Sequence, residues 1–268
     1  MTTTAASWEH LQVDRRDDGV VLVRLDYPDR RNAMSAPMTE SWGRLMASLR
    51  TDRDVRCVVV TGAGSAFCSG GDTGWIGSDP SASVGALRDR MLPFYRTWLS
   101  IRELEVPTIA AVNGPTVGAG ACVALACDLR YAAASARFAV PFTRLGMHAG
   151  MAATWLLPDV VGVAAARELL LTGRTVDAAE MARLGLASAV LPDAGFLDAV
   201  LETAGQVASG APLATRLTTV ALRGGGPAGF DAALQWEALA QPVTLATQDL
   251  QEGLAAARER RPPRFTGH

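Results

Sequence analysis

The sequence predicts an α/β protein with a mostly parallel sheet, followed by a helical region at its C-terminal end. Three observations favour this class. Short apolar, β-branched runs, such as residues 20–25 (VVLVRL) and 55–61 (VRCVVVT), have the length of buried strands. Segments with apolar residues at helical spacing alternate with such runs over the first 190 residues. After residues 138–143 the pattern is helical almost to the end.

The first elements are two strands and a helix. Residues 11–13 and 20–25 are predicted strands, separated by the turn-forming residues 16–19 (RDDG). Residues 37–49 predict an amphipathic helix, because their apolar side chains recur every three or four positions. These apolar residues are Met38, Trp42, Leu45, Met46 and Leu49.

The middle of the chain alternates strands, glycine-rich loops and helices. Residues 55–61 predict a buried strand, and the long loop at 62–77 is rich in glycine and serine. The elements expected next are a helix over 84–104, a strand over 108–112, a loop over 113–117, a helix over 118–126 and a strand over 129–131. Later breaks are expected near Pro158, Gly173, Pro192, Pro212 and the 224–227 linker.

Composition narrows the class of protein. The chain has 268 residues, of which 49% are hydrophobic, so it can bury a core as one large domain or one domain with an appendage. The net charge of −2 leaves no basic excess for nucleic acid. All 25 basic residues are arginine, which excludes lysine-dependent chemistry such as a Schiff base or a Walker A phosphate site.

The cysteines and histidines predict neither disulfides nor a metal centre. The four cysteines form no CxxC pair and follow no signal peptide, so we expect a reducing, cytoplasmic setting. Two of the three histidines lie close to the termini, which argues against a zinc site. The uncharged stretch 106–127 is interrupted by glycine, proline and asparagine, so we expect no membrane span.

Two glycine loops each follow a predicted strand and precede a predicted helix. They cover residues 66–72 (AFCSGGD) and 113–120 (NGPTVGAG). Such loops present bare backbone N–H groups, and the second lies at the positive end of a helix, so together they could hold an oxyanion. The alternative is that each glycine only permits a tight turn or close packing.

Further motifs follow one another along nearly the whole chain. They are residues 27–28 with 31–34, 58–62, 67–72, 107–114, 127–130, 138, 145–146, 171–173, 252–254 and 260–262. In this order they resemble the crotonase superfamily, which contains enoyl-CoA hydratases and isomerases. The resemblance implies an α/β crotonase-like (ClpP/crotonase) fold, in which a spiral core of repeated β-β-α units precedes a helical C-terminal segment.

The resemblance also implies an organisation and a substrate. Residues 1–195 would form the acyl-CoA-binding core, and residues 196–268 a helical oligomerisation region. A homotrimer or a dimer of trimers is the expected assembly. No cofactor or metal would be bound permanently, because coenzyme A enters as part of the thioester substrate.

In this family the thioester carbonyl oxygen is held by two backbone N–H groups, which correspond here to Gly71 and Ala119. Two donors and a helix dipole stabilise the anionic oxygen of an enolate more than a neutral carbonyl. Gly70 and Gly118 precede these donors and belong to the same binding loops. The resemblance places the adenosine end of coenzyme A along Arg30, Ala33, Ser65 and Ala66.

The sequence departs from the hydratase pattern at two positions. The two glutamates that activate water in hydratases correspond to Cys122 and Phe142, which remain as candidate lining of the substrate site. Phenylalanine has no titratable proton, and a cysteine on an apolar helix should be a packed thiol with a raised pKa. Another group must therefore move the proton.

His148 is the candidate for that role. It lies in the segment 145–150, which the resemblance places along the acyl pocket, and imidazole suits acid or base work near neutral pH. The alternative is that His148 caps the following helix or fills the pocket wall. Asp72 is expected mainly to hold the oxyanion loop, and Trp75 to line the acyl pocket.

These residues predict an enzyme that isomerises or hydrates an enoyl-CoA through an enolate held at Gly71 and Ala119. Two alternatives stay open. The same fold could support a decarboxylase, a thioester hydrolase or a carbon–carbon bond hydrolase, none of which needs the missing glutamates. The chain could also be a catalytically silent relative that only binds coenzyme A.

Overall fold

A six-stranded sheet lies at the centre of the protein. The structure is a computed structural model and describes residues 8–72, 79, 81–225 and 229–268. The strand order is β1-β2-β3-β4-β6-β9, with β1 antiparallel to β2 and the remaining neighbours parallel. The strands are β1 (Leu11–Arg15), β2 (Val20–Leu25), β3 (Cys57–Gly62), β4 (Thr108–Val112), β6 (Leu129–Ala133) and β9 (Ala189–Leu191).

A second, three-stranded sheet has the order β5-β7-β8. It consists of β5 (Pro115–Val117), β7 (Arg137–Ala139) and β8 (Thr175–Asp177). The expected loop over 113–117 is therefore wrong in part, because residues 115–117 pair in parallel with β7. The prediction that the chain is helical after residue 143 is also wrong in part, because β8 and β9 lie in this region. Each has three residues, which is too short to produce a periodic pattern.

Nine α-helices are defined within the described ranges. They are α1 (Ala36–Thr51), α2 (Val84–Leu99), α3 (Ala119–Ala126), α4 (Ala153–Thr172), α5 (Ala178–Arg183), α6 (Phe196–Ala208), α7 (Pro212–Val220), α8 (Phe230–Leu245) and α9 (Gln248–Glu259). The break expected near Pro158 is a kink within α4 and not an end of the helix, and Pro158 itself lies inside α4. The kink falls at Gly162, whose φ of 77° suits glycine better than any other residue.

Both faces of the larger sheet are covered, which explains why every residue of β3 is buried. One face packs against α1 and α2, whose Trp42 and Trp98 rings stack with centroids 4.9 Å apart. The other face packs against the buried side of α6, including Phe196 and Val200. The α/β class with a mostly parallel sheet is confirmed. No helix among the described residues has the length and apolar character needed to cross a membrane.

Candidate active site

The two glycine loops lie side by side in the fold. Because β3 and β4 are parallel neighbours, the loops that follow them leave the same edge of the sheet. The N–H of Val117 donates to the carbonyl oxygen of Cys68 at 2.9 Å, which joins the loops directly. A Cβ at Gly120 would lie 2.5 Å from that same carbonyl oxygen, so only glycine permits this approach.

This contact brings the two candidate amides to one place. Gly70 has a φ of 98°, and a Cβ added there would lie 3.4 Å from the amide nitrogen of Ala119. Gly71 is the next residue along the same loop. Gly118 has a φ of 56° and turns the second loop into the first residue of α3. The glycines therefore set the geometry of both loops where they meet.

The N–H groups of Gly71 and Ala119 donate to no other residue in the described part of the chain. Ala119 begins α3, where the first N–H groups have no partner inside the helix. The positive end of the helix dipole adds to the potential at this point. Such a pair of open donors can stabilise negative charge on an oxygen atom.

A cavity of about 110 Å³ lies in front of these amides. Six of the residues predicted for the site line it: Gly70, Gly71, Gly118, Ala119, Phe142 and His148. Its remaining wall is mostly apolar and includes Met91 and Phe94 of α2. An apolar cavity with a few convergent polar groups is the usual form of a small-molecule site.

Two asparagine side chains, the buried Asn32 and the half-buried Asn113, hold the loop between β3 and the first oxyanion loop. Asn32 donates to the carbonyl oxygens of Ala63 at 2.9 Å and Ala66 at 2.8 Å. Asn113 donates to the carbonyl oxygen of Gly62 at 2.9 Å and accepts from its N–H at 3.1 Å. Sequence reasoning did not assign them this role, although both stand in motifs that carried the resemblance.

The residues expected to contact the adenosine end of coenzyme A lie outside the lining of the cavity. Arg30 and Ser65 are exposed, Ala33 is half-buried and Ala66 is buried. The hydroxyl of Ser69 donates to the carbonyl oxygen of Arg30 at 3.2 Å, which connects this segment to the oxyanion loop.

Two further predicted residues follow the first oxyanion loop. Asp72 is exposed and directly follows Gly71. Trp75 lies outside the described residues. Among those described, no group of three or more histidine, cysteine or acidic side chains is arranged to hold a metal ion.

His148 lies at the exposed rim of the cavity. Its Nδ1 is 2.7 Å from the carbonyl oxygen of Ala149. Because a carbonyl oxygen only accepts hydrogen bonds, Nδ1 is the donor in this contact, and in the neutral ring the lone pair is then on Nε2. His148 does not cap the next helix, since α4 begins after Ala152 and has no side-chain cap. The geometry leaves Nε2 available as a base.

The two positions expected from the resemblance to correspond to the hydratase glutamates are Cys122 and Phe142. Cys122 is fully buried on α3, and its Sγ lies 3.8 Å from the carbonyl oxygen of Gly150. Burial raises the pKa of the Cys122 thiol, which therefore stays protonated at neutral pH. Phe142 forms part of the cavity wall. No aspartate or glutamate lines the cavity within the described ranges.

Tyr95 is the polar side chain that sequence reasoning missed. It lines the cavity from α2, and its hydroxyl packs against Gly150. The sequence placed the pocket wall somewhere in residues 84–99, but helical spacing alone does not show which side faces the cavity. The contacts between α2 and α3 fix that rotation in the folded protein.

Two open amides beside an apolar cavity form an arrangement that can stabilise an oxyanion. The family model for enoyl-CoA hydratase/isomerase matches residues 15–268. This chain therefore belongs to the enoyl-CoA hydratase/isomerase family, as the motifs of the crotonase superfamily indicated, and its assignment as an enzyme is confirmed.

Relatives of known structure and sequence agree with this assignment. The crystal structure of enoyl-CoA hydratase from Bacillus anthracis is similar, with a TM-score of 0.91 at 32% identity over 97% of this chain and 100% of that one. An enoyl-CoA hydratase from Polaromonas has a TM-score of 0.88 at 26% identity, covering 96% and 99%. A Mycobacterium leprae protein named probable enoyl-CoA hydratase is 37% identical over 251 residues, covering 91% of this chain and 85% of its own.

Proposed function

We propose that this enzyme isomerises or hydrates an enoyl-CoA thioester through an enolate. The observation that carries the proposal is the meeting of the Gly71 and Ala119 amides at one cavity. When a thioester becomes an enolate, negative charge gathers on its oxygen. Fixed donors stabilise that charge more than the neutral carbonyl, and one donor is typically worth about 3 kcal/mol of activation free energy.

The coenzyme A arm of the substrate would leave the cavity along the segment that carries Arg30. Arg30 and Arg31 are both exposed there, and the carbonyl oxygen of Arg31 accepts the N–H of Ser69 at 2.9 Å. A guanidinium group offers phosphate two parallel donors. These arginines would therefore bind the phosphates while the acyl chain enters the apolar cavity.

The proton chemistry favours isomerisation over hydration. Hydration needs a water molecule that is positioned and activated, and the described lining contains no carboxylate for that purpose. Isomerisation needs only a base to remove a proton from one carbon and an acid to return one to another. Nε2 of His148 would act as the base. The acyl-CoA would be the only substrate.

A panel of thioesters tests this proposal. Purified protein is incubated with 2-enoyl-CoA and 3-enoyl-CoA substrates, and products are followed by mass spectrometry and NMR. A shifted double bond at unchanged mass would establish isomerisation, and gain of one water would establish hydration. Release of free coenzyme A or cleavage of the acyl chain would overturn both reactions. Thioester binding without turnover would instead indicate a silent relative.

We also propose that α8 forms part of an interface between copies of this chain, in a homotrimer or a dimer of trimers. None of its residues is buried, although it carries large apolar side chains. Phe230 is 78% exposed and Leu239 is 73% exposed. Apolar surface of this kind on one helix marks an interaction site.

Replacing Leu239 by glutamate should convert the assembly to smaller species, because a charge would be buried at the interface. Size-exclusion chromatography with light scattering measures the change. Val84→Glu is the matched control, since Val84 is 84% exposed but lies on α2. A wild-type monomer, or an L239E protein that keeps the wild-type mass, would contradict the proposed interface.

A further inference from the structure

The hydroxyl of Tyr95 lies close to the face of α3 that begins at the oxyanion site. A Cβ at Gly150 would be 2.5 Å from this hydroxyl oxygen, so the phenol packs directly on the Gly150 backbone. The carbonyl oxygen of Gly150 in turn contacts Sγ of Cys122 at 3.8 Å. Cys122 follows Ala119 by three residues on α3, and such a spacing puts two residues on the same side of a helix. The phenol thus stands next to the position that lacks a glutamate.

This hydroxyl has no hydrogen-bond partner among the described residues, although Tyr95 is only half-exposed. Because Tyr95 lines the same cavity as the two open amides, its unpaired hydroxyl is free to act on a ligand held there. Burial raises the pKa of Tyr95 above its ordinary value. The phenol is therefore neutral at physiological pH and can donate its proton.

Within the described lining, Tyr95 and His148 are the two side chains suited to exchange protons with a substrate. Their roles differ, because the phenol can donate a proton while Nε2 of the neutral His148 ring can accept one. An isomerisation needs one group of each kind. The open donor beside Cys122 and the open acceptor at the rim supply such a pair.

We propose that Tyr95 is a catalytic residue whose hydroxyl protonates the α carbon of the thioester enolate, an inference that rests on the proposed function. The electrons of the enolate double bond form the new C–H bond, and the carbonyl re-forms at the oxyanion site. The O–H bonding pair stays on the phenolate oxygen. His148, at the exposed rim, then releases to water the proton it took from the acyl chain, and the phenolate takes a proton from water, so each turnover restores both residues.

Exchange of the α proton in deuterated water tests this assignment. In the reverse direction the phenolate removes the α proton, so wild-type protein should exchange the α hydrogens of butyryl-CoA, a saturated thioester, as followed by NMR. Tyr95→Phe should slow this exchange by about 10²- to 10⁴-fold, the usual range for loss of an acid–base group. Binding of butyryl-CoA, measured by calorimetry, should stay unchanged. Tyr131→Phe makes the same chemical change in β6, on the sheet face covered by α6, and should exchange at the wild-type rate.

The pH profile separates this role from a structural one. Because the exchanging base is a phenolate with a raised pKa, the wild-type rate should still be rising above pH 9. A plateau near neutral pH, as expected for an imidazole base, would overturn the assignment to Tyr95. So would a Tyr95→Phe protein that melts normally and exchanges at the wild-type rate. If wild-type protein binds no thioester, the proposed function fails and this inference fails with it.

Discussion

Replacing Ala119 by proline should lower kcat about 10²- to 10³-fold, the cost typical of losing one oxyanion donor. Proline lacks the N–H that would meet the enolate oxygen. It is also well tolerated at the first position of a helix, where Ala119 stands, because that N–H has no partner inside the helix. The change therefore deletes the donor while α3 remains folded. Steady-state kinetics on the substrate identified by the panel, with circular dichroism for helix content, measures both effects.

Ala119→Val is the matched control, because valine adds a similar volume at the cavity but keeps the backbone donor. The ratio of kcat between the valine and proline variants separates the effect of losing the hydrogen bond from the effect of the added side-chain volume. Equal loss in both variants would show that size alone is responsible. Full activity in Ala119→Pro would show that this amide does not meet the reacting oxygen.

Replacing His148 by alanine should lower the isomerisation rate about 10²- to 10⁴-fold, as expected for loss of a general base. His148 lies at the exposed rim and supplies neither of the two open amides, so thioester affinity should change little. Exchange at the α carbon should persist, because that step is assigned to Tyr95. Stopped-flow kinetics, calorimetry and NMR exchange give the three quantities.

His268→Ala provides the control for the histidine variant, since His268 does not line the cavity. An unchanged isomerisation rate in His148→Ala would show that His148 only forms part of the rim. Parallel loss of binding and rate would assign it to substrate binding instead of proton transfer.

The elements predicted well from the sequence are those with strong local signals. The strand at 108–112 has the predicted bounds, and β2 does as well, because apolar β-branched runs between turn residues need little tertiary context. The strands β5, β8 and β9 were missed, because their three residues each are extended only through pairing with distant segments. Tertiary contacts decided these assignments, not intrinsic propensity.

In the candidate site, too, the features with local sequence signals were predicted, and the features that depend on tertiary packing were not. The glycine loops were recognisable because bare amides after a strand and before a helix form a local pattern. The two loops approach each other where Gly120 packs against Cys68. This approach depends on which strands are neighbours in the sheet, and the sequence does not reveal that order. Tyr95 was missed because the rotation of α2 about its axis is set by packing on α1 and α3. A single sequence indicates that such a helix lines the cavity, but it does not show which side of the helix faces the substrate.

The close approach of Gly120 to Cys68 has a practical consequence for redesign. The proposed oxyanion site consists of main-chain amides, and its loops are held in place by strand pairing and by asparagine side chains. The groups proposed to transfer protons are side chains on α2 and within residues 142–150. These two halves of the site can therefore be changed independently of each other. Acidic and basic side chains in the second half can be substituted to seek a different reaction, while the main-chain loops that would bind the oxyanion stay unchanged.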